Sequence, residues 1–278
     1  MCQMIDEEEG RMGKPKKKIS FICGMHYIKL FYRSVLFLWA VGMFIWGKLT
    51  QSGSLIDSVL RDKYWLMGVT WVVYAIEMTS RFFPSPAESM GCQKQFKRNY
   101  QPTGEEVPRL QSWKRTFAVV LSWVGLNGLI GLLYYVGVIE KDVLILVSLA
   151  YGVCDMICIL FFCPFQTWMM KNRCCTVCRI YNWDFAMMFT PFIFVPHIYT
   201  WSLLGLSLVL LFRWELTVRL HPERFAENTN ACVSCANCKE KLCHHKKQLI
   251  GFWRRNKIKI QAKIKAIIKP DDSENTKQ

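Results

Sequence analysis

FAMMFTPFIFVPHIYTWSLLGLSLVLLF, residues 185–212, holds 28 residues without a charged side chain. A helical bilayer crossing needs about 20 predominantly apolar residues, so this stretch is long enough to span once and too short to span twice. It also contains Pro191 and Pro196-His197, which interrupt helix. A cysteine group stands on each side of it. Cys174, Cys175 and Cys178 precede it in CCTVCRIYNWD, and Cys232, Cys235, Cys238 and Cys243 follow it in NACVSCANCKEKLCHH. Whether the stretch crosses straight or turns back decides whether the two groups meet.

Working outward, the chain reads as all-α, a polytopic transmembrane helical bundle of about five spans. Among its 278 residues 52% are hydrophobic, with 11 Trp and 18 Phe, a composition that argues against a soluble domain. The first 20 residues are a polar tail ending in a basic group and carry no cleavable leader. The transmembrane domain occupies 21–214, with spans near 31–49, 64–80, 116–139, 143–163 and 185–212. A cysteine-rich metal-binding segment fills 215–245, and 246–278 is a basic amphipathic helix with a polar end. In that last segment Leu249, Trp253, Ile260, Ile264, Ile267 and Ile268 share one helical face and Lys and Arg fill most of the rest. Such a helix suits anionic lipid, and nucleic acid is not needed to explain the net charge of +15.

Lys and Arg also report orientation, because cytoplasmic flanks attract them. Counted over five straight spans without the tail, the division is 17 to 4 in favour of a cytoplasmic N-terminus. The tail carries 15 more and would fall on the opposite side. If 185–212 turns back at Pro196-His197, the division becomes 32 to 4. The count therefore favours a cell-membrane protein with a cytoplasmic tail, while a tail on the far side stays open.

Three polar residues fall inside apolar runs: Glu77, Asp155 and His197. An ionisable group at membrane depth is costly and marks a pathway or site unless it reaches the headgroups. Tyr151, Asp155 and Cys158 lie at i, i+4 and i+7, and Cys154 is four residues before Cys158, so one helical face carries a carboxylate and two thiols. That face suits protons, a quinone headgroup or a soft metal; equally, both cysteines can serve as small buried hydrophobes.

Thirteen cysteines, closely spaced, read as metal ligands rather than as a disulfide framework. Cys232-x2-Cys235-x2-Cys238-x4-Cys243 is the most specific signal. Two successive CxxC steps can wrap thiolates round an iron–sulfur core, and zinc accepts the same set with His244 replacing a thiolate. Cys174, Cys175 and Cys178 are further ligands or a redox pair, since Cys175-x2-Cys178 beside Arg173 and Arg179 favours thiolate. Three functions follow: an iron–sulfur electron-transfer protein, a zinc-stabilised membrane scaffold or sensor, and a membrane thiol–disulfide oxidoreductase using Cys175 and Cys178. No phosphate loop, serine-nucleophile motif or zinc-protease motif is present.

Cys158, Cys163 and Pro164 at a span end, with Cys232, Cys235 and Cys238 in the tail, resemble the membrane-bound ferredoxin-type accessory proteins of nitrate and nitrous oxide reductases. The departures are a four-residue gap between Cys158 and Cys163 and a four-residue gap before Cys243, which His244 follows in place of Pro. Only one ferredoxin-like run occurs. The resemblance covers about a quarter of the chain. It implies electron transfer between a quinone pool and a redox partner protein.

Overall fold

The computed structural model describes residues 21–50, 64–172, 174–234 and 237–238. Among them the only regular structure is helical, apart from one isolated bridge between Pro102 and Asn230. The main elements are α1 (Phe21–Thr50), α2 (Tyr64–Ser80), α3 (Trp113–Tyr135), α4 (Lys141–Leu160), α5 (Asp184–Phe189) and α6 (Ile198–Leu220). Three of these, α1, α3 and α4, are long and apolar enough to cross a membrane. That makes the chain a membrane protein. α2 is 17 residues long, and α6, though 23 residues long, carries Arg213, Glu215 and Arg219 in its last part.

The helices are apolar on nearly every face, as expected where the outward face meets hydrocarbon rather than water. Phe31, Leu38 and Ile45 on α1, Ile76 on α2, Leu121 and Leu129 on α3 and Phe212 on α6 all point outward. Inside, α1 packs along α4 and α2 along α6.

The stretch 185–212 is not one helix. α5 runs into a tighter 3-10 turn, Thr190–Phe194, the chain reverses at Val195, Pro196 and His197, and α6 returns. Proline removes donors from the backbone ladder, and broken backbone at membrane depth must be sheltered by protein. Here it is. Ser148 Oγ donates to the Met188 carbonyl at 2.8 Å, Trp123 Nε1 to Thr190 Oγ1 at 3.1 Å, and Thr200 Oγ1 to the Val195 carbonyl at 2.6 Å. α5 and the turn after it are the plug of the bundle: Phe185, Met188 and Phe189, with Phe192 from the turn, pack with Tyr74, Met78, Leu203 and Leu210 into the largest apolar core among the described residues. Two glycines admit it. A Cβ on Gly131 would lie 2.3 Å from Phe194 Cζ, and one on Gly152 would lie 2.8 Å from Met188 Sδ.

Because the stretch reverses, its two ends meet. Trp214 Nε1 on α6 donates to the Arg179 carbonyl at 2.8 Å, Arg179 pairs with Glu215 at 2.6 Å, and Trp183 Nε1 donates to the same carboxylate at 2.8 Å. The loop 161–183, the linker 81–112 and the chain after α6 thus form one cap at one end of the bundle. Ala231 N–H donates to the Gln101 carbonyl at 2.9 Å and Arg224 to the Gln95 carbonyl at 3.1 Å, tying the tail onto the linker. The stretch 185–212 is thus broken at its prolines, and Cys174, Cys175 and Cys178 share the cap with Cys232 and Cys238.

Candidate functional site

Five cysteines from three segments line one cavity of about 140 Å³ at the cap end of the bundle: Cys154 and Cys158 on α4, Cys163 just after it, and Cys175 and Cys178 from the loop beyond. The sequence places each for a local reason. Cys158 lies on the inward face of α4, three residues after Asp155. Pro164 ends the run of α4, so Cys163 sits where the helix gives way to a wide helical turn, Phe165–Met169. Lys171, with φ 53°, then takes a left-handed conformation that turns the chain back towards Cys174.

The thiols are held in a directed way. Cys158 and Cys163 hydrogen-bond to each other through their side chains. Gln166 bridges two segments: its N–H donates to Cys163 Sγ at 3.3 Å, and its Oε1 accepts from Cys175 Sγ at 3.0 Å. Cys178 N–H donates to the Cys175 carbonyl at 2.9 Å, closing the CxxC turn, and the Ile180 N–H reaches back to the Cys178 sulfur. The remaining walls are mainly aromatic and apolar, among them Trp123, Tyr151 and Phe165, with Asp155 and Asp184 at one side.

Beneath the loop lies Lys94, fully buried. Its Nζ donates to the Thr176 carbonyl at 2.7 Å and the Cys178 carbonyl at 2.9 Å, between the rings of Trp214 and Phe225. Burial pushes the Lys94 ammonium down to about 8, with the nearby sulfurs of Cys178, Cys174 and Cys92 opposing that drop. Burial pushes the Cys178 thiol up, and Lys94 and the Ile180 N–H partly offset it. Lys94 is the positive charge set against any negative charge that gathers on these sulfurs.

A buried ion network adjoins the cavity. Arg33, 1% exposed, donates to Glu77 at 2.7 Å, to Asp155 at 3.0 Å and to the Gly152 carbonyl at 3.1 Å. Lys29 lies 3.6 Å from Glu77 and 3.5 Å from Glu88. Arg81 grips Asp184 with two bonds of 2.6 and 2.7 Å. The ring of Phe185 sits between the two guanidiniums, 4.4 Å from Arg81 and 5.7 Å from Arg33. Lone charges at this depth would be costly, and pairing is what lets them remain.

The residues singled out from the sequence thus fall into separate places. Glu77 and Asp155 belong to the ion network, and Asp155 also lines the thiol cavity. His197 is at the start of α6, where its Nδ1 accepts from the Tyr199 N–H at 3.4 Å; it caps a helix. Cys174 is buried beside Thr176 and is not among the cavity-lining residues. In the tail, Cys232 is disulfide-bonded, and Cys238 lies in a second, more polar pocket of the cap. Cys235, Cys243, His244 and the helix expected over 246–269 lie outside the described residues. Among the described residues no three His, Cys, Asp or Glu already converge on one metal-binding point. Sequence reasoning missed Arg33, Arg81, Lys94 and Gln166. An arginine within an apolar run was the available signal for the first; the other three carry no local mark.

No protein family, curated protein or solved structure matches the chain. The site itself therefore defines the class: a helical membrane protein with a multi-thiol cavity at the end of its bundle.

Proposed function

We propose that the chain is a multi-pass cell-membrane protein of electron transfer whose redox centre, an iron–sulfur cluster, is held by Cys158, Cys163, Cys175 and Cys178. One observation carries the reading: these four thiols, with Cys154 as a fifth, line a single, largely apolar cavity. Iron–sulfur cores take four cysteine thiolates, and hydrogen bonds to the sulfurs tune them. N–H groups from Gln166 and Ile180 supply such bonds. Bound there, the cluster would supply one-electron transfer; the chain's own residues fix the sulfurs, exclude water and balance charge through Lys94. Of the ligands expected in the tail, Cys232 is in a disulfide and has no thiolate to offer a metal, so the proposed ligands are those of this cavity.

The membrane topology belongs to the same proposal. The first 33 residues, the linker 81–115, the loop 171–184 and the tail together carry 32 of the 36 Lys and Arg, and all lie towards the cap end or continue from it. The positive-inside rule then puts the cap in the cytoplasm. α2 and the pair α5–α6 complete the passes.

A second reading has its own observation. The Cys158–Cys163 thiol contact suits oxidation of the pair to a disulfide with loss of two protons and two electrons to a quinone, which becomes a quinol. Anaerobic purification with iron, sulfide and zinc analysis separates the readings. Iron and sulfide that vanish in each of Cys158→Ser, Cys163→Ser, Cys175→Ser and Cys178→Ser, but persist in Cys232→Ser, support the cluster. Colourless protein with stoichiometric zinc sinks it in favour of a scaffold. Metal-free protein that cycles a Cys158–Cys163 disulfide sinks it in favour of the thiol reading.

A further inference from the structure

Because α1 packs along α4 and α2 along α6, a lateral opening is left between α1 and α2. A cavity of about 550 Å³ fills it, lined only by residues of those two helices. Phe31, Val35, Trp65 and Val69 at its mouth face outward. Its α1 wall, residues 31–39, is the middle of a helix long enough to cross a membrane, so the mouth opens into hydrocarbon. Leu36, Trp39, Leu66, Thr70 and Tyr74 also line a second cavity, of about 120 Å³, walled further in by α4, α5 and α6. The two are one recess running from the lipid to the plug. Met188, in the inner wall, lines the thiol cavity as well.

No charged residue lines this recess. Two hydroxyls do, those of Thr70 and Tyr74, one turn apart on one face of α2. Tyr74 is 2% exposed, and its hydroxyl lies beside Gly152 and the Met188 sulfur. Among the described residues neither hydroxyl has a hydrogen-bond partner. By contrast, Trp71 Nε1 donates to Ser202 Oγ at 2.8 Å and Ser148 Oγ to the Met188 carbonyl at 2.8 Å. An unpaired hydroxyl in an apolar site is costly, and apolar walls with a few polar groups that fix orientation are the composition of a ligand site.

The occupant must be uncharged, must enter from the bilayer and must bring oxygen atoms to hydrocarbon depth. Membrane lipids fail the last condition, since their oxygens stay in the headgroup layer. A ring with a carbonyl on each side accepts from both hydroxyls. We infer that this recess binds a lipid-soluble quinone, its ring at Thr70 and Tyr74 and its tail leaving between α1 and α2. The inference rests on the membrane placement of α1 and not on what the thiol cavity holds.

Decylubiquinone tests this on the full-length protein in detergent. Its fully substituted ring does not add to thiols, and it quenches tryptophan; Trp39 and Trp71 line the recess. Quenching should saturate at one equivalent per chain, and an excess of decylbenzene, which keeps a ring and tail but no oxygen, should leave it unchanged. Tyr74→Phe and Thr70→Val each remove one hydroxyl with little change of shape. Each should raise Kd about three- to tenfold while the melting temperature stays near that of wild type. Quenching that rises linearly with added quinone, or affinity unchanged in both variants, overturns the proposal. Displacement by decylbenzene overturns it in favour of a seat for acyl chains. Val35→Cys chains that cross-link in pairs on oxidation, with decylubiquinone failing to prevent it, give the recess to a second copy and overturn it too. Labelling of Val35→Cys at position 35 by a water-soluble maleimide in membrane vesicles overturns the membrane placement instead, so the two failures are told apart.

Discussion

Replacing Lys94 by Met tests whether a buried ammonium governs the cysteine loop. Burial lowers its pKa from 10.5 to about 8, and a drop of that size corresponds to about 3 kcal/mol of penalty on the charged form. The sign follows from linkage. Between pH 8 and 10.5 the unfolded chain holds this proton and the folded chain has lost it, so the stability contributed by this group rises with pH across that window. Below pH 8 the whole penalty is present. The amine keeps donating to the Thr176 and Cys178 carbonyls when neutral, whereas Met leaves both without that donor, at a cost of about 1–3 kcal/mol each. At pH 7.5 the lost penalty and the lost bonds offset, and wild type and Lys94→Met should melt within a few degrees of each other. By pH 10 wild type should lead by a further ~3 kcal/mol, or about 6–12 °C in a protein of this size. The measurement is the melting temperature of the metal-free protein in detergent across that range. A Cys178→Ala background serves as control, because a Cys178 thiolate would keep the Lys94 proton. Curves for wild type and variant that stay parallel from pH 7.5 to 10 would refute the reasoning.

Three further outcomes are expected. Arg33→Met strands Glu77 and Asp155 without their shared cation and should cost about 3–5 kcal/mol; the triple variant with Glu77→Gln and Asp155→Asn should recover at least half of the lost melting temperature. Gly131→Ala drives a methyl into Phe194 and should cost about 1–3 kcal/mol by overpacking, whereas Gly125→Ala, with nothing within 4 Å of the new Cβ, should be neutral or stabilise by up to about 1 kcal/mol through helix propensity. Metal loading of the cavity should rise with pH through the alkaline range, since burial raises the Cys178 thiol and each ligand must lose its proton first; iron uptake titrated against pH measures it, and a flat profile would argue against thiolate ligation.

The apolar runs were legible in the sequence because the bilayer imposes a length and a composition that survive without knowledge of neighbours. The Lys and Arg count exposed the misfit at 185–212, and Pro191 and Pro196 named where the break would come. The helical face of Asp155 and Cys158 was also readable from spacing. What spacing could not carry was convergence. Cys163 and Cys175 are brought to one cavity by the wide turn after Pro164 and by the left-handed Lys171, neither of which has a periodic signature. Lys94 sits in a polar linker 80 or more residues from the cysteines it supports, and nothing in its local context marks it as buried. The tail drew attention through its regular CxxC steps, which describe ligand geometry and are silent on oxidation state.

The plug helix α5 has a consequence for how the protein is made. It runs straight into the broken backbone of Thr190–Phe194, whose freed polar groups find no partner in hydrocarbon, so it cannot rest in lipid as a lone segment. It needs Gly131, Gly152 and Ser148 already standing around it. Synthesis supplies α1 to α4 first, and a waiting socket is then closed by the α5–α6 hairpin as the final insertion event. The order of the elements along the chain is thus also a workable order of assembly, and a chain halted before Asp184 would leave that socket facing hydrocarbon, a ready substrate for membrane quality control.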